Sequence, residues 1–202
     1  TGSGKTEVYF EIVEEVYKKN KQILIMVPEI SLTPQLEKRF LERFGFNPEV
    51  WHSKISEKKR KSIWFRSYLG EPIVVIGARS SLFLPFKKLG LIIVDEEHDI
   101  SYKQEDNIRY HARDIATVRA KIEKCNIILS SATPSLETQN NINKKKYKHV
   151  FLKSQFSGIE LPKIELINLN ENLLTKDKWI SQPIIDELTS CLNQKEQALL
   201  FL

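Results

Sequence analysis

Cysteine is almost absent: the 202 residues hold two, Cys125 and Cys191, far apart and in no C-x-x-C pair. Neither a disulfide framework nor a zinc site is supported by that pattern. No apolar run approaches the roughly 20 residues that span a bilayer. No signal-peptide pattern is visible, and an internal fragment would show none in any case. The expectation is a cytoplasmic enzyme core without membrane contact. A strong charge of one sign is also missing. Lysine plus arginine number 31 against 26 aspartate plus glutamate, a net +5, and an excess of that size permits a polyanionic partner without requiring one. What is present, 41% hydrophobic and 28% charged residues, is enough for one full core and the beginning of a second domain.

The stretch that organises the chain is Leu91-Ile-Ile-Val-Asp-Glu-Glu-His98. A short, apolar, β-branched run reads as a strand buried on both faces, and the carboxyl end of such a strand is where a parallel α/β sheet presents its chemistry. Three adjacent carboxylates are too costly to bury unpaired, so Asp95 and Glu96 imply a cation, with magnesium the natural candidate, or a water to be activated. The plainer reading is a strand running into a solvated acidic turn.

The other end of the chain favours the first reading. Thr1-Gly-Ser-Gly-Lys-Thr6 leads into a helical pattern carrying Val8, Ile12 and Val16 at intervals of four. This is the second half of the phosphate loop G-x-x-x-x-G-K-[ST], in which glycine lets backbone N–H groups close around phosphates, lysine reaches the terminal phosphates and the hydroxyl ligates magnesium. Thr1, Gly2, Ser3, Gly4, Lys5 and Thr6 are therefore the candidate nucleotide-binding residues, with Thr6 and Asp95 as metal ligands. The first glycine of the pattern would fall before Thr1, so the expected object is a fragment cut inside that loop.

Between these motifs the segments alternate as in a doubly wound sheet. Strands are expected at 22–27, 49–51, 73–76 and 126–129, with helices from Ser31 to Gly45, over about 56–68, at 115–122 and from near Pro134. Loops that follow parallel strands fall on one edge of the sheet. That places Thr33, His52, Ser53, Arg79 and Ser80 beside the nucleotide, with hydroxyls, backbone N–H groups or a guanidinium suited to phosphate oxygens. Any one of them is also ordinary turn or capping chemistry. The segment Ser101 to Arg113 sets Tyr102 and Tyr110 among Lys103, Arg109 and Arg113, the parts needed to stack on bases while gripping a backbone. A solvated loop is the alternative. After the strand at 126–129, Ser131 and Thr133 either bond to His98 or Asp95 or cap the next helix.

Taken together, Thr1–Thr6, Pro28–Gln35, Gly77-Ala-Arg-Ser80, Asp95-Glu-Glu-His98, Ser101–Asp106, Arg109–Asp114 and Ser131–Glu137 resemble the PriA family of bacterial replication-restart DNA helicases, or primosomal protein N′. Asp-Glu-Glu-His by itself marks only superfamily 2. The resemblance implies a RecA-like P-loop lobe, a mostly parallel sheet flanked by helices, that couples ATP hydrolysis to movement on DNA. By that resemblance Lys5, Asp95, Glu96 and His98 are catalytic. Thr33 and Arg79 touch single-stranded DNA, and His98, Ser131 and Thr133 couple hydrolysis to it. ATP and Mg2+ are the cofactors, and single-stranded or forked DNA and other primosome proteins are the partners, in a cytoplasmic, nucleoid-associated setting. The family's zinc ligands and second-lobe arginines are not in this chain, so the isolated fragment is expected to be largely inactive. Ser81 departs from the pattern, where a small apolar residue is expected. The domains expected are a first lobe over 1–143, a linker over 144–162 and the start of a second lobe over 163–202, with strands at 164–167 and 198–202 around a helix at 183–192. Two other classes fit parts of the pattern: a nucleotide kinase, and a DNA-binding scaffold that does not turn over nucleotide. A carboxylate at Glu96 argues against the scaffold.

Overall fold

The computed structural model describes residues 4–28, 34–152, 163–170 and 179–201. Contacts divide the chain into two compact units, residues 1–158 and 159–202.

The first unit contains α1 (Lys5–Tyr17), β1 (Gln22–Met26), α2 (Pro34–Phe44), β2 (Glu49–Trp51), α3 (Glu57–Leu69), β3 (Val74–Gly77), β4 (Leu89–Val94), β5 (Lys103–Gln104), β6 (Tyr110–His111), α4 (Ala112–Glu123), β7 (Asn126–Leu129) and α5 (Leu136–Asn143). Five strands form one sheet in the order β2-β3-β1-β4-β7, every neighbour parallel. The central strands are apolar end to end because both faces are covered. Along each strand successive side chains turn to opposite faces. Ile23, Ile25, Val74, Ile76, Leu91 and Ile93 therefore meet Tyr9, Phe10 and Val13 of α1 and Phe40 of α2. Leu24, Met26, Val75, Ile92 and Val94 meet Ile63 of α3 and Ala112, Ala116 and Ala120 of α4 on the other side. The one polar residue inside β1, Gln22, is fully buried and fully used. Its amide donates to the carbonyls of Ser67 at 2.9 Å and Glu71 at 3.1 Å and accepts from Lys88 N–H at 2.8 Å.

Two helices leave some of the apolar residues that mark them in the sequence outside the core. In α1, Val8 is exposed, while Tyr9, Phe10 and Val13 make the buried stripe; Ile12 and Val16 pack at its margin. In α4, Ile115, Val118 and Ile122 lie on the solvent side and the alanines face the sheet, since only small side chains admit the helix this close to β4 and β7. Gly77 is required by close approach: a Cβ there would stand 2.7 Å from Ser81 Cβ and 2.8 Å from the Trp51 carbonyl. Ser81, the unexpected polar residue, is buried and donates to the Ala78 carbonyl at 2.6 Å. Its hydroxyl thus satisfies the short 3-10 turn Arg79–Phe83.

In the second unit the described residues form α6 (Gln182–Asn193), with Pro in its first turn. The strands expected at 164–167 and 198–202 are not formed among the described residues. A strand needs a hydrogen-bonded neighbour, and among the described residues none pairs with these segments, whose Leu166 and Leu199 are almost fully exposed. Residues 144–152, inside the expected linker, carry no helix or strand. No helix among the described residues is long and apolar enough to cross a membrane.

Candidate nucleotide site and nucleic-acid edge

The carboxyl ends of β1, β4 and β7 converge. Asp95 N–H donates to the Met26 carbonyl at 2.9 Å, so the chain leaves β4 still tied to β1. The next residue, Glu96, turns with φ +45°, a left-handed conformation that a non-glycine residue adopts only when its surroundings hold it there. What holds it is on both sides. Glu96 N–H donates to Asp95 Oδ1 at 3.0 Å, and Asp99 N–H donates to the Glu96 carbonyl at 2.8 Å.

The Asp95 carboxylate is fixed by three donors: Glu96 N–H, the Ser130 hydroxyl at 2.9 Å and the Tyr9 hydroxyl on Oδ2 at 3.1 Å. A carboxylate has about four acceptor positions, so one is left for a cation. Burial first, and the neighbouring Asp95 charge second, push the Tyr9 phenol far above its usual range. The same causes act on Tyr102, so both stay protonated donors. Tyr102 is 1% exposed, and its hydroxyl donates to the carbonyls of Met26 at 3.0 Å and Asp95 at 2.6 Å.

Gly4 lies in the left-handed region with φ 77° as the N-cap of α1, with no side-chain cap, which leaves first-turn N–H groups pointing outward. Lys5 and Thr6 open that helix. Lys5 Nζ reaches Glu96 Oε1 at 3.1 Å, a bridge that joins the phosphate-loop motif to the acidic motif. Glu96 Oε2 lies 3.6 Å from His98 Nδ1, and that nitrogen is 2.7 Å from the Ser131 hydroxyl. Ser131 also accepts from Thr133 N–H at 3.0 Å. The structure thus brings Lys5, Asp95, Glu96, His98, Ser131 and Thr133 together, and Thr6 reaches the cluster through its hydrogen bond with Tyr9; Thr1, Gly2, Ser3 and Thr33 lie outside the described residues. Among the described residues no group of three or more His, Cys, Asp or Glu side chains could hold a metal by itself. A lone carboxylate position beside a threonine hydroxyl and an open helix N-terminus fits a magnesium ion that takes its other ligands from phosphate and water.

The remaining candidates divide. His52 Nδ1 accepts from Lys54 N–H at 3.1 Å, and the His52 and Ser53 carbonyls accept from Arg60 at 3.3 Å. Ser80 accepts from the Trp51 indole at 3.2 Å. Arg79 donates to the carbonyls of Ser101 at 3.0 Å and Lys103 at 2.7 Å, bracing the root of the β5–β6 hairpin. Arg109 and Lys103 are exposed on that hairpin, Lys103 paired with Glu105, and the Tyr110 ring meets Phe83 edge-on at 5.3 Å. Two expectations need correction. Tyr102 presents no free ring face for a base, because it is buried under the acidic turn. Arg113, 5% exposed, does not face solvent phosphates. It binds Glu97 and Ser135 inside the fold.

That last contact reveals residues the sequence reading missed. Glu97 is 1% exposed and accepts from Arg113 at 3.1 Å, Ser135 N–H at 2.8 Å, the Ser135 hydroxyl at 3.1 Å and the Thr138 hydroxyl at 3.0 Å. Tyr9 and Ser130 were likewise not anticipated. The one available signal was an arginine in the first turn of a helix and a serine N-cap after the Ser-Ala-Thr-Pro stretch, each able to meet the surplus acid.

The model of the DEAD/DEAH box helicase family matches residues 1–142. Over the whole chain, the sequence is 50% identical to the replication restart protein PriA of Rickettsia felis, 44% to that of Haemophilus influenzae and 41% to that of Bacillus subtilis. All of this chain is covered in each comparison, against 31%, 27% and 25% of those proteins, so it spans less than a third of their length. The family match covers well over half of the 202 residues, and the chain belongs to the DEAD/DEAH box helicase family.

Proposed function

We propose that this chain is the first motor lobe of an ATP-dependent DNA helicase acting in replication restart, with single-stranded and forked DNA as substrate. The observation that carries the reading is the continuous chain of side chains Lys5–Glu96–His98–Ser131, 3.1, 3.6 and 2.7 Å per link. It joins the place where a nucleotide phosphate would sit to the loop that follows β7.

In that reading the first-turn N–H groups and Lys5 hold phosphate oxygens. Thr6 and Asp95 hold magnesium, which supplies charge neutralisation at the transferring phosphate. Lys5 leaves Glu96 for phosphate. The freed carboxylate orients a water and takes its proton, at a position already fixed by the left-handed turn. Asp95 keeps its orientation because Tyr9, Ser130 and the Glu96 N–H supply it with hydrogen bonds independently of the nucleotide. His98 and Ser131 link the water-activating acid to the Ser131–Thr133 loop, which senses whether phosphate is present.

The proposed DNA track runs over His52, Ser53, Arg79, Ser80 and the β5–β6 hairpin. There Lys103 and Arg109 supply a sequence-independent, salt-dependent grip, and the exposed Ile108 at the hairpin tip gives bases an apolar surface. Other replication-restart and primosome proteins are proposed partners, and the nucleoid of a bacterial cytoplasm is the setting the reading implies. The test is steady-state ATP hydrolysis by the full-length protein across a DNA titration at two salt concentrations. Saturable stimulation that weakens with salt is expected, and hydrolysis indifferent to DNA would overturn the reading.

A further inference from the structure

Glu97 touches the Ser131–Thr133 loop from both ends. Its backbone N–H donates to the Ser130 carbonyl at 3.0 Å, just before the loop. Its carboxylate accepts from Ser135 N–H at 2.8 Å and from the Ser135 hydroxyl at 3.1 Å, just after it. One residue thereby brackets the segment whose Ser131 hydroxyl meets His98 at 2.7 Å. The bracket holds a compensating cation, because a carboxylate buried this deeply is costly to leave unpaired. Arg113 is that cation. Its guanidinium spans Glu97 at 3.1 Å and Ser135 at 2.6 Å, and its Nε donates outward to Asp114 at 2.9 Å.

Arg113 also stands at a mechanical junction. It is the second residue of α4, the helix that follows β6 directly. The hairpin that β6 closes is braced at its other root by Arg79 and carries the exposed Lys103 and Arg109. A strand that displaces the hairpin therefore acts on the N-terminus of α4 with no intervening flexible segment, and α4 holds the guanidinium.

We infer that Glu97 and Arg113 are positioning residues that set the distance between Ser131 and His98, so that a shift of the β5–β6 hairpin on DNA is passed to the hydrolytic acid through this buried pair. The inference rests on the helicase reading above and adds the route by which DNA contact reaches the site. It needs no contact between Arg113 and DNA. It also explains why the third acid of Asp95-Glu-Glu-His98 is buried while the first two face the nucleotide.

The test uses the full-length protein with Arg113→Lys, Thr138→Val and Asp114→Asn. Lysine keeps the charge but cannot span Glu97 and Ser135 together. Valine removes one donor to Glu97 without altering charge. Asp114→Asn neutralises one of the two exposed carboxylates beside the same guanidinium, Glu137 at 3.9 Å being the other, and serves as the control. For a coupling route the expected effect is roughly a 5- to 30-fold lower kcat at saturating DNA in Arg113→Lys and a smaller loss in Thr138→Val. KM for ATP and the DNA concentration at half-stimulation should stay within about twofold, because neither binding surface is touched. Asp114→Asn should match the unaltered protein. The DNA-free rate should fall less than the DNA-saturated one, whereas a merely structural pair would lower both by one common factor, the folded fraction. That result, or an unchanged DNA-saturated kcat in Arg113→Lys, overturns the inference. If the unaltered protein shows no stimulation by DNA at all, the functional reading fails first and takes the inference with it.

Discussion

Removing Arg113 should destabilise the fold by an amount that its surroundings bound. The guanidinium is 5% exposed and its partner Glu97 1% exposed, so solvent screening does little for either. Deleting one member of a buried ion pair costs about 3–5 kcal/mol, because the other charge is left without compensation. Here the Glu97 carboxylate retains three donors from Ser135 and Thr138, which argues for the low end, about 3 kcal/mol. For a unit the size of residues 1–158, about 1 kcal/mol moves Tm by roughly 2–4 °C, so Arg113→Ala should lower Tm by roughly 6–12 °C. The same arithmetic requires non-additivity. In a background of Glu97→Gln the orphaned charge no longer exists, and Arg113→Ala should then cost about 1 kcal/mol or less. Thermal unfolding of the four proteins by circular dichroism checks both numbers. A drop below about 2 °C in the single variant, or strict additivity in the double, would refute the buried-charge reasoning.

Other outcomes follow from the same geometry. Gly77→Ala should be strongly destabilising, since the new Cβ meets backbone at 2.8 Å, and a midpoint in denaturant close to that of the unaltered protein would show that the turn can shift. The raised pKa values of Tyr9 and Tyr102 mean that both phenols ionise more readily unfolded, near pH 10, than folded. Their contribution is complete below that pH and is lost as pH climbs above it; a pH–stability curve that falls equally steeply above pH 10 in Tyr9→Phe/Tyr102→Phe would contradict this. Charge reversal of the exposed hairpin, Lys103→Glu with Arg109→Glu, should weaken DNA affinity about tenfold or more and flatten its salt dependence, as read by fluorescence anisotropy. An unaltered binding curve would move the DNA track elsewhere.

Much of the lobe was legible because its information is local. Apolar runs such as Gln22–Met26 and Leu89–Val94 admit one reading, buried parallel strands, and the loops after them must share an edge. Once Lys5 and Glu96 are put on that edge, their meeting follows from topology. The misread residues are those whose role is decided by distant partners. Tyr102 and Arg113 look like an aromatic and a cation in a polar loop, and only the meeting with Met26, Asp95, Glu97 and Ser135 turns them inward. The spacing of the large apolar residues marks α4 as a helix but not its buried face, where close packing selects alanine. The strands expected in the second unit have the composition of strands, but pairing is a property of two segments and no second segment was visible from either one.

The central claim is that Glu96 activates water at a site fixed by Asp95, Tyr9 and Ser130 and switched by DNA. Its most direct test is the ATP hydrolysis rate of the full-length protein and its Glu96→Gln variant, with and without forked DNA, beside nucleotide affinity measured on the same samples. The account predicts DNA-stimulated hydrolysis in the unaltered protein. In Glu96→Gln, hydrolysis should fall by about two orders of magnitude or more with nucleotide affinity retained. Near-normal DNA-stimulated turnover by Glu96→Gln would contradict it.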